Sequence, residues 1–367
     1  MSKNIKYNFL STDEKERYQK HLTLKEIGYE GQLSLKNSSV LCIGAGGLGS
    51  SVLLYLAAAG IGKIGIVDND CVEKSNLQRQ IIHETNTIGN LKIDSAQERI
   101  KKINPNPELL TFAERINPKN ALEIIQKFDI ICDCSDNFGT RYLINDACLI
   151  LNKPLVFGSV QGFEGQVSVF NLHKTSPNLR DLLPESPSKN AVPSCAEYGV
   201  VGVSTGLIGI IQVNEIIKII LKKGEVLDGK IMVFDLLNMN TKKLHLKSDQ
   251  VNKQIKNLSK FMDFYIDDEC STKNSKINRI NAYDFNSLYK IKPNKILLID
   301  VRENEEFSAS AIEGSISLPL SHLNQKPDLE FIQKESLIKE VFTICSSGKR
   351  SEKASKILSK FKIQSRS

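Results

Sequence analysis

The sequence predicts an α/β protein, with a doubly wound, mostly parallel sheet (Rossmann-like) followed by a smaller α/β domain. A short apolar run at residues 40–43 leads directly into a glycine-rich loop at residues 44–49. Apolar positions at helical spacing then continue to Ala59, and a second apolar run at residues 64–67 ends at Asp68. This order of strand, helix and strand is the opening unit of a doubly wound sheet.

Later apolar runs extend the sheet and indicate a second domain. We expect further strands over residues 130–134, 155–158, 166–170 and 232–235, within a first domain of residues 1–247. Residues 248–275 are rich in Lys, Asp, Asn and Ser and are predicted to be a linker. In the second domain, residues 276–367, we expect helices over 282–290 and 351–361 and strands over 296–300 and 342–345.

The composition excludes several classes of protein. The net charge is +7, but the lysines alternate with acids instead of forming a basic stripe, which argues against a nucleic-acid partner. Residues 200–221 are the one stretch that resembles a membrane span. They are interrupted by Gln212, Asn214, Glu215 and Lys218, so we predict a buried core helix and no membrane association.

The cysteines indicate a reducing compartment. Eight cysteines show no disulfide-framework spacing, and four of them lie within apolar patterns, where Cys behaves as a small buried hydrophobe. The first 21 residues contain no apolar signal segment. We therefore expect a cytoplasmic or plastid-stromal location, and the abundance of Lys, Ile and Asn fits a plastid.

The glycine-rich loop predicts a nucleotide site. Glycines Gly44, Gly46 and Gly47 let the backbone approach phosphate, and the helix that follows supplies free N–H groups. Asp68, at the tip of the second strand, can accept hydrogen bonds from ribose hydroxyls. On this evidence a dehydrogenase, or a tight turn without any ligand, would have the same pattern.

A polar segment after Asp68 favours adenylyl transfer over hydride transfer. Residues 75–80 and Lys92 supply amide and cationic groups, including Arg79, that can stabilise charge on a departing pyrophosphate. Asp136 follows a later strand and is placed to hold a Mg²⁺ ion that bridges phosphate oxygens. A carboxylate substrate needs no general base, because it is already ionised near neutral pH.

With these motifs, the chain resembles the molybdopterin-synthase and thiamine-thiazole adenylyltransferases, relatives of the ubiquitin-activating enzymes, with a rhodanese domain appended. Residues 75–80 are highly specific to that superfamily. The other matching motifs are at residues 17–18, 28–32, 44–49, 68–70, 92–96, 104–105, 133–142, 158–159, 164–166 and 193–195.

The resemblance implies an enzyme that adenylylates the C-terminal glycine of a ubiquitin-like sulfur-carrier protein, for molybdenum cofactor synthesis in preference to thiamine synthesis or tRNA thiolation. It implies ATP and Mg²⁺ as cofactors and a cysteine desulfurase as a possible sulfur donor. It also implies a homodimer, in which Arg17 and Lys20 reach the phosphates of the partner subunit. Relatives usually have Arg where this chain has Lys20, so the bidentate fork is lost there. The implied ATP-site residues are Gly44, Gly46, Gly47, Asp68, Ser75, Asn76, Leu77, Gln78, Arg79, Lys92, Asp136 and Asn137.

These relatives commonly bind a structural zinc through two CxxC pairs, and this chain lacks both. Residues 178–181 replace the first pair, and residues 248–252 contain no cysteine. We predict no Cys₄ zinc, since tetrahedral zinc of this type needs all four thiolates. We expect residues 172–192 to be less firmly tied as a result.

Two cysteines are candidates for sulfur chemistry. Cys195 resembles a cysteine that links to the carrier in some relatives, but a loop cysteine without a catalytic role fits equally well. Cys345 begins a CxxGxR-type loop, in which converging N–H groups and nearby cations would favour a thiolate or persulfide. The chain contains no Trp and ends soon after residue 361, so we expect the rhodanese-like domain to be truncated or its last strand to be degenerate.

Two alternatives from other classes remain at this stage. A nicotinamide-dependent oxidoreductase would use residues 44–49 but would leave residues 75–80 unexplained. A non-catalytic scaffold would bind a carrier protein without turning over ATP.

Overall fold

A computed structural model of the protein describes residues 7–184, 199–249, 251–253, 261, 280–323, 329–346 and 348–367. The chain forms two compact units, Met1–Asp267 and Asp268–Ser367. Most of the predicted linker, residues 248–275, lies outside the described residues.

The described part of the first unit contains an eight-stranded sheet, in the order β3-β2-β1-β4-β5-β6-β7-β8. The first five strands in this order are parallel and the last three are antiparallel, which confirms the mostly parallel α/β fold. The strands are β1 (Ser39–Ile43), β2 (Lys63–Val67), β3 (Glu108–Phe112), β4 (Ile130–Asp133), β5 (Leu155–Gln161), β6 (Glu164–Phe170), β7 (Lys230–Asp235) and β8 (Asn240–His245).

Helices cover both faces of this sheet. They are α1 (Thr12–Arg17), α2 (Gln19–Leu22), α3 (Gly28–Lys36), α4 (Gly47–Ala59), α5 (Lys92–Ile103), α6 (Ala121–Ile125), α7 (Phe138–Leu151), α8 (Leu179–Leu182) and α9 (Gly202–Leu221), with 3₁₀ turns at Lys74–Asn76, Thr85–Thr87 and Val251–Lys253. Alternate residues of β1 enter different cores: Cys42 packs with α4, α5 and α9, and Leu41 packs with α6 and α7. Burial on both faces explains why the parallel strands are continuous apolar runs.

Helix α9 is the one helix of the described chain that is long and apolar enough to cross a membrane by length and composition. In this fold it packs against α4, β5 and β6. Its polar residues Gln212 and Glu215 are fully buried, and Gln212 donates to the Asp133 carbonyl oxygen at 2.9 Å. The helix therefore belongs to the core, as predicted.

The second unit contains a four-stranded parallel sheet in the order β10-β9-β11-β12. Its elements are α10 (Ala282–Ile291), a 3₁₀ turn (Pro293–Lys295), β9 (Ile296–Asp300), α11 (Asn304–Ala309), β10 (Ile316–Ser317), α12 (Leu320–Leu323), α13 (Glu330–Glu335), β11 (Glu340–Ile344), α14 (Lys349–Lys360) and β12 (Ser365–Arg366). The last strand is only two residues long, but it pairs with β11 through Val341 and Phe342.

Four cysteines are buried in the first unit and have free thiols: Cys42, Cys132, Cys134 and Cys148. The sulfur of Cys134 lies 3.6 Å from that of Cys42 and 3.8 Å from that of Cys132, without a disulfide. Burial raises the pKa of Cys132, Cys134 and Cys148, and the hydrogen bond with Cys134 is the main cause that raises the pKa of Cys42. These thiols are poor nucleophiles, because the thiolate is the reactive form.

We therefore predict that N-ethylmaleimide at pH 7.5 modifies Cys71, which is exposed, and Cys345, but none of the four buried cysteines in the native protein. Peptide mass spectrometry after a short pulse measures the modification of each site. The same pulse in denaturing urea is the control and should modify all of them. Native modification of Cys42 or Cys134 at the rate of Cys71 would contradict this account of the core.

Candidate active sites

The glycine loop follows β1, and its shape requires glycine at two positions. Gly44 has φ +103°, and a Cβ there would lie 2.8 Å from the Cys134 carbonyl oxygen. A Cβ at Gly49 would lie 2.0 Å from the Gly44 carbonyl oxygen. Gly46 is the N-cap of the 13-residue helix α4 and has no side chain. The first N–H groups of α4 therefore have no side-chain acceptor from the N-cap residue. This geometry suits a phosphate.

Asp68 lies directly after β2 and organises the loop next to it. One carboxylate oxygen accepts the Ala45 N–H at 2.8 Å, and the other accepts the Asp70 N–H at 2.8 Å. The Asp68 side chain remains half-buried at the carboxyl edge of the sheet. It can therefore hold the loop and still face a ribose.

Lys92 begins α5 and is almost fully buried, with 7% exposure. Its ammonium nitrogen lies 2.9 Å from an Asp70 carboxylate oxygen, and its backbone N–H donates to the Asp70 carbonyl oxygen at 2.9 Å. Asp70 therefore fixes Lys92 beside Asp68. The structure brings both predicted residues to the same edge.

The segment of residues 75–80 lies against the start of α9, where the Gln78 carbonyl oxygen and the Arg79 Cα approach Gly202. Arg79 donates to the Ser75 carbonyl oxygen at 3.1 Å and is half-buried, whereas Asn76 is buried and accepts the Glu73 N–H at 3.2 Å. The Gln78 amide lies 3.5 Å from the Val200 carbonyl oxygen. Leu77 is partly buried in the same turn.

Asp136 and Asn137 follow β4, the neighbour of β1. Asp136 is exposed and available to a cation, and Asn137 caps α7 by accepting the Thr140 N–H at 2.9 Å. Mg²⁺ is commonly held by one or two carboxylates together with substrate phosphates, so one exposed Asp fits a metal that arrives with ATP. Within the described ranges, no three or more His, Cys, Asp or Glu side chains are grouped to hold a metal by themselves.

Arg17 and Lys20 do not lie at this edge within their own chain. Arg17 donates to the Ile103 carbonyl oxygen at 3.0 Å, at the opposite end of α5 from Lys92. Twelve residues of helix separate the two ends by about 17 Å. Lys20 is exposed on α2.

The expectation that residues 172–192 are less firmly tied stays a prediction, and the described residues near Asp181 make several contacts. One Asp181 carboxylate oxygen accepts the Asp249 N–H at 2.8 Å and the Asn252 side-chain amide at 3.0 Å. Arg180 forms a bidentate ion pair with the buried Asp146 at 3.0 and 2.7 Å. Hydrogen bonds therefore join the two segments in which relatives have CxxC pairs, and the absence of zinc remains a prediction.

Cys345 follows β11 in the second unit, at the start of α14. Its sulfur accepts the Ser351 N–H at 3.3 Å and lies 3.6 Å from the Ser351 hydroxyl. Gly348, at φ +79°, is the N-cap of α14. The sulfur therefore accepts one backbone N–H at the start of α14, and such a donor can stabilise negative charge on sulfur. Ser347 lies outside the described residues.

An ion pair holds the loop of Cys345 on one side. The Arg350 guanidinium donates to the two carboxylate oxygens of Glu306 at 2.5 and 2.8 Å, and to the Ser346 hydroxyl at 3.1 Å. Hydrogen bonding from Arg350 lowers the pKa of Glu306. Sequence reasoning did not identify Glu306. Glu306 lies in the first turn of α11, and nothing in the sequence there indicates a contact with Arg350.

Two further outcomes concern single residues. Cys195 lies outside the described residues, so its role is still a prediction. His83 follows residues 75–80 in the sequence, and no role was predicted for it. In the structure its side chain contacts the glycine loop at Ala45.

Family models match both units of the chain. Residues 18–255 match the ThiF family, and residues 285–365 match the rhodanese-like domain. The chain is 40% identical to a probable adenylyltransferase/sulfurtransferase MoeZ of Mycobacterium tuberculosis over 94% of this chain and 88% of that protein. It is 38% identical to the adenylyltransferase and sulfurtransferase MOCS3 of Drosophila virilis over 94% of this chain and 79% of that protein.

Two further matches support the fold and the class. A probable molybdopterin-synthase adenylyltransferase of Porphyra purpurea is 40% identical over 93% of this chain and 87% of that protein. The crystal structure of E. coli MccB with MccA-N7isoASN aligns with a TM-score of 0.59, covering 69% of this chain and 76% of that chain, and its 21% identity supports the fold alone. The family match and the relatives support an ATP-binding enzyme at the glycine loop. The alternative of a nicotinamide-dependent oxidoreductase is therefore rejected. The chain belongs to the ThiF family of adenylyltransferases and carries a rhodanese-like domain in its C-terminal part.

Proposed function

We propose that this enzyme adenylylates the C-terminal glycine of a ubiquitin-like sulfur-carrier protein and then supplies sulfur to it through Cys345. The observation that carries the proposal is the convergence of the glycine loop, Asp68, Lys92 and Asp136 at the carboxyl ends of adjacent parallel strands. In open α/β sheets this edge is the usual ligand site.

In the first step, a carboxylate oxygen of the carrier attacks the α-phosphorus of ATP, an acyl-adenylate forms, and pyrophosphate leaves. The glycine loop and the α4 N-terminus bind phosphate, and Asp68 binds ribose. Arg79 and Lys92 neutralise the charge that develops on pyrophosphate, while Asn76 and Gln78 orient the phosphates. Asp136 would hold Mg²⁺, which supplies further neutralisation.

In the second step, sulfur is transferred through the rhodanese-like domain. The Cys345 thiolate takes a sulfur atom from a persulfide donor, such as a cysteine desulfurase, and the donor leaves as a thiolate. The terminal sulfur of the Cys345 persulfide then attacks the acyl carbon, and AMP leaves, so that the carrier is joined to Cys345 through a disulfide bond. A second thiolate, for which Cys195 is the candidate, attacks the Cys345 sulfur and releases the carrier thiocarboxylate. A cellular dithiol then reduces the disulfide that this attack forms. The Ser351 N–H at the start of α14 supports this step, because a hydrogen-bond donor stabilises negative charge on sulfur. Cys195 is a possible relay.

We assign this chemistry to molybdenum cofactor synthesis, in preference to thiamine synthesis or tRNA thiolation. The name of the relative from P. purpurea, a probable molybdopterin-synthase adenylyltransferase, supports this assignment. The unbridged sulfurs of Cys42, Cys132 and Cys134 support a reducing compartment, either the cytoplasm or the plastid stroma.

We also propose a homodimer in which Arg17 and Lys20 act on the partner's ATP. An exposed apolar stripe on α9 supports a second copy as the partner. It consists of Val203, Leu207 and Ile210, which are spaced four and three residues apart and are 74%, 38% and 38% exposed. Such a stripe on a core helix is unusual unless another surface covers it.

The first prediction concerns the adenylylation site. Arg79→Ala should lower carrier-dependent ATP–pyrophosphate exchange by about 10²-fold or more, since it removes a preorganised charge on the leaving group. Exchange of radiolabelled pyrophosphate into ATP, with molybdopterin-synthase small subunit as carrier, measures the rate. Arg99→Ala is the matched control, because Arg99 forms an exposed pair with Glu84 and should matter little. Equal rates for the two variants would refute the assigned role of Arg79. Absence of exchange by the wild type when the carrier is added would favour the scaffold alternative.

The second prediction separates the two steps. Cys345→Ser should leave the exchange rate within about twofold of wild type but abolish thiocarboxylate on the carrier, because Cys345 acts only after adenylylation. Mass spectrometry of the carrier measures thiocarboxylate. Cys195→Ser, tested in parallel, should reduce thiocarboxylate only if the relay operates. Thiocarboxylate formation by Cys345→Ser at the wild-type rate would disprove the role of Cys345.

The third prediction concerns the dimer. The double variant Leu207→Asp, Ile210→Asp should sediment as a monomer and lose most of its exchange activity, because charges cannot be buried in the interface and the partner's Arg17 is removed. Leu237→Asp, in the exposed β7–β8 turn, is the control and should remain dimeric. A dimeric double variant in sedimentation equilibrium would show that another surface forms the interface.

A further inference from the structure

His83 is a buried histidine that contacts the glycine loop without lying in it. Its side chain is 5% exposed and follows the segment of residues 75–80. Its Nε2 lies 3.0 Å from the Ala45 carbonyl oxygen, and its Nδ1 lies 2.9 Å from the Ser95 hydroxyl oxygen. Both ring nitrogens therefore have partners, one in the glycine loop and one in α5.

The two partners determine which nitrogen of His83 bears the proton. A carbonyl oxygen only accepts, so Nε2 carries the hydrogen and donates it to Ala45. Nδ1 is then the acceptor, and the single hydrogen of the Ser95 hydroxyl is shared between Nδ1 and the Thr87 hydroxyl oxygen, which lies 3.1 Å from the Ser95 oxygen. Burial lowers the pKa of His83, and the positive charge of Lys92 lowers it further, so the ring is neutral near pH 7.

Ala45 is held on both sides by this arrangement. Its N–H donates to Asp68 at 2.8 Å, and its carbonyl oxygen accepts from His83 at 3.0 Å. Ala45 lies between Gly44 and Gly46, two glycines that would otherwise leave the backbone free to rotate. The two bonds fix the peptide planes on which the direction of the loop N–H groups depends.

The same bonds form a closed ring that includes Lys92. From Ala45 the ring passes to Asp68 and then to the Asp70 N–H. Asp70 binds the backbone N–H and the ammonium group of Lys92, each at 2.9 Å. Ser95 is three residues from Lys92, on the same side of α5, and it leads back through His83 to Ala45.

We propose that His83 is a positioning residue for adenylyl transfer, which fixes the glycine loop through Ala45 and couples it through Ser95 to the helix that carries Lys92. This inference rests on the proposed ATP site. His83 does not need to touch the nucleotide. It acts by keeping the phosphate-binding N–H groups and the Lys92 ammonium in a fixed mutual arrangement.

Two amide substitutions separate the two contacts of His83. The amide nitrogen of Gln is three bonds from Cβ, as Nε2 is, whereas the amide nitrogen of Asn is two bonds away, as Nδ1 is. His83→Gln should keep the bond to Ala45, and His83→Asn should lose it. We expect His83→Gln to retain ATP affinity and exchange kcat within about threefold, and His83→Asn to weaken ATP binding and lower kcat by about tenfold each.

The experiment measures three quantities on the full chain for each variant. They are the Kd for ATP by calorimetry, the KM and kcat of carrier-dependent exchange, and the thermal midpoint. Ser95→Ala removes the hydrogen bond between His83 and α5 but keeps the hydrogen bond between His83 and Ala45. This variant should therefore have a lower kcat with little change in the Kd for ATP. His173→Asn makes the same change at an exposed histidine and should alter none of these quantities.

The outcomes distinguish this inference from the proposed function. If His83→Asn and His83→Gln weaken ATP binding equally, or if neither does so, His83 has no specific positioning role and the inference is overturned. If the wild type binds ATP but shows no pyrophosphate exchange with any added carrier, the proposed function fails. In that case the Kd values of the Asn and Gln variants still decide the role of His83.

Discussion

Parallel pairing of β1 with β2 on one side and β4 on the other is the constraint on which the adenylylation site depends. Parallel strands end at the same edge, so the loops after these three strands meet there although they are far apart in sequence. The pairing requires apolar cover on both faces, and α4, α5 and α9 on one side and α6 and α7 on the other supply it. Cys42 and Cys134 follow from the same packing, since a small side chain fits where the glycine loop approaches β4.

The parts of the fold that are buried on both faces could be predicted from sequence, and the exposed parts could not. The runs that become β1, β2 and β4 are fully apolar, and their burial leaves little choice of structure. By contrast, β8 is exposed along its whole length and β3 is only half-buried, so neither shows a clear apolar pattern. Both form because a neighbouring strand offers hydrogen bonds, which is a property of the assembled sheet.

In the candidate sites, too, some residues could be predicted from sequence and others could not. Residues that would touch ATP could be named from sequence because phosphate and ribose chemistry limits which side chains serve. The residues that hold the functional side chains and loops in place could not be predicted, because their contacts join distant parts of the sequence. The contact from His83 to Ala45 spans 38 positions, and the contact from Arg350 to Glu306 spans 44. The ties around Asp181 were missed for a related reason. The absence of cysteine was visible, but Asn and Asp at the corresponding positions have many possible roles, and only the fold shows them bonded to one another.

The two units stabilise negative charge by different means, and each suits its chemistry. At the ATP edge the charge to be stabilised is large and leaves as pyrophosphate, which requires fixed cations such as Lys92 beside backbone N–H groups. At Cys345 the proposed charge is a single thiolate or persulfide, and the donor that faces the sulfur is the Ser351 N–H at the start of α14. The nearby Arg350 is already paired with Glu306, so its positive charge is largely offset.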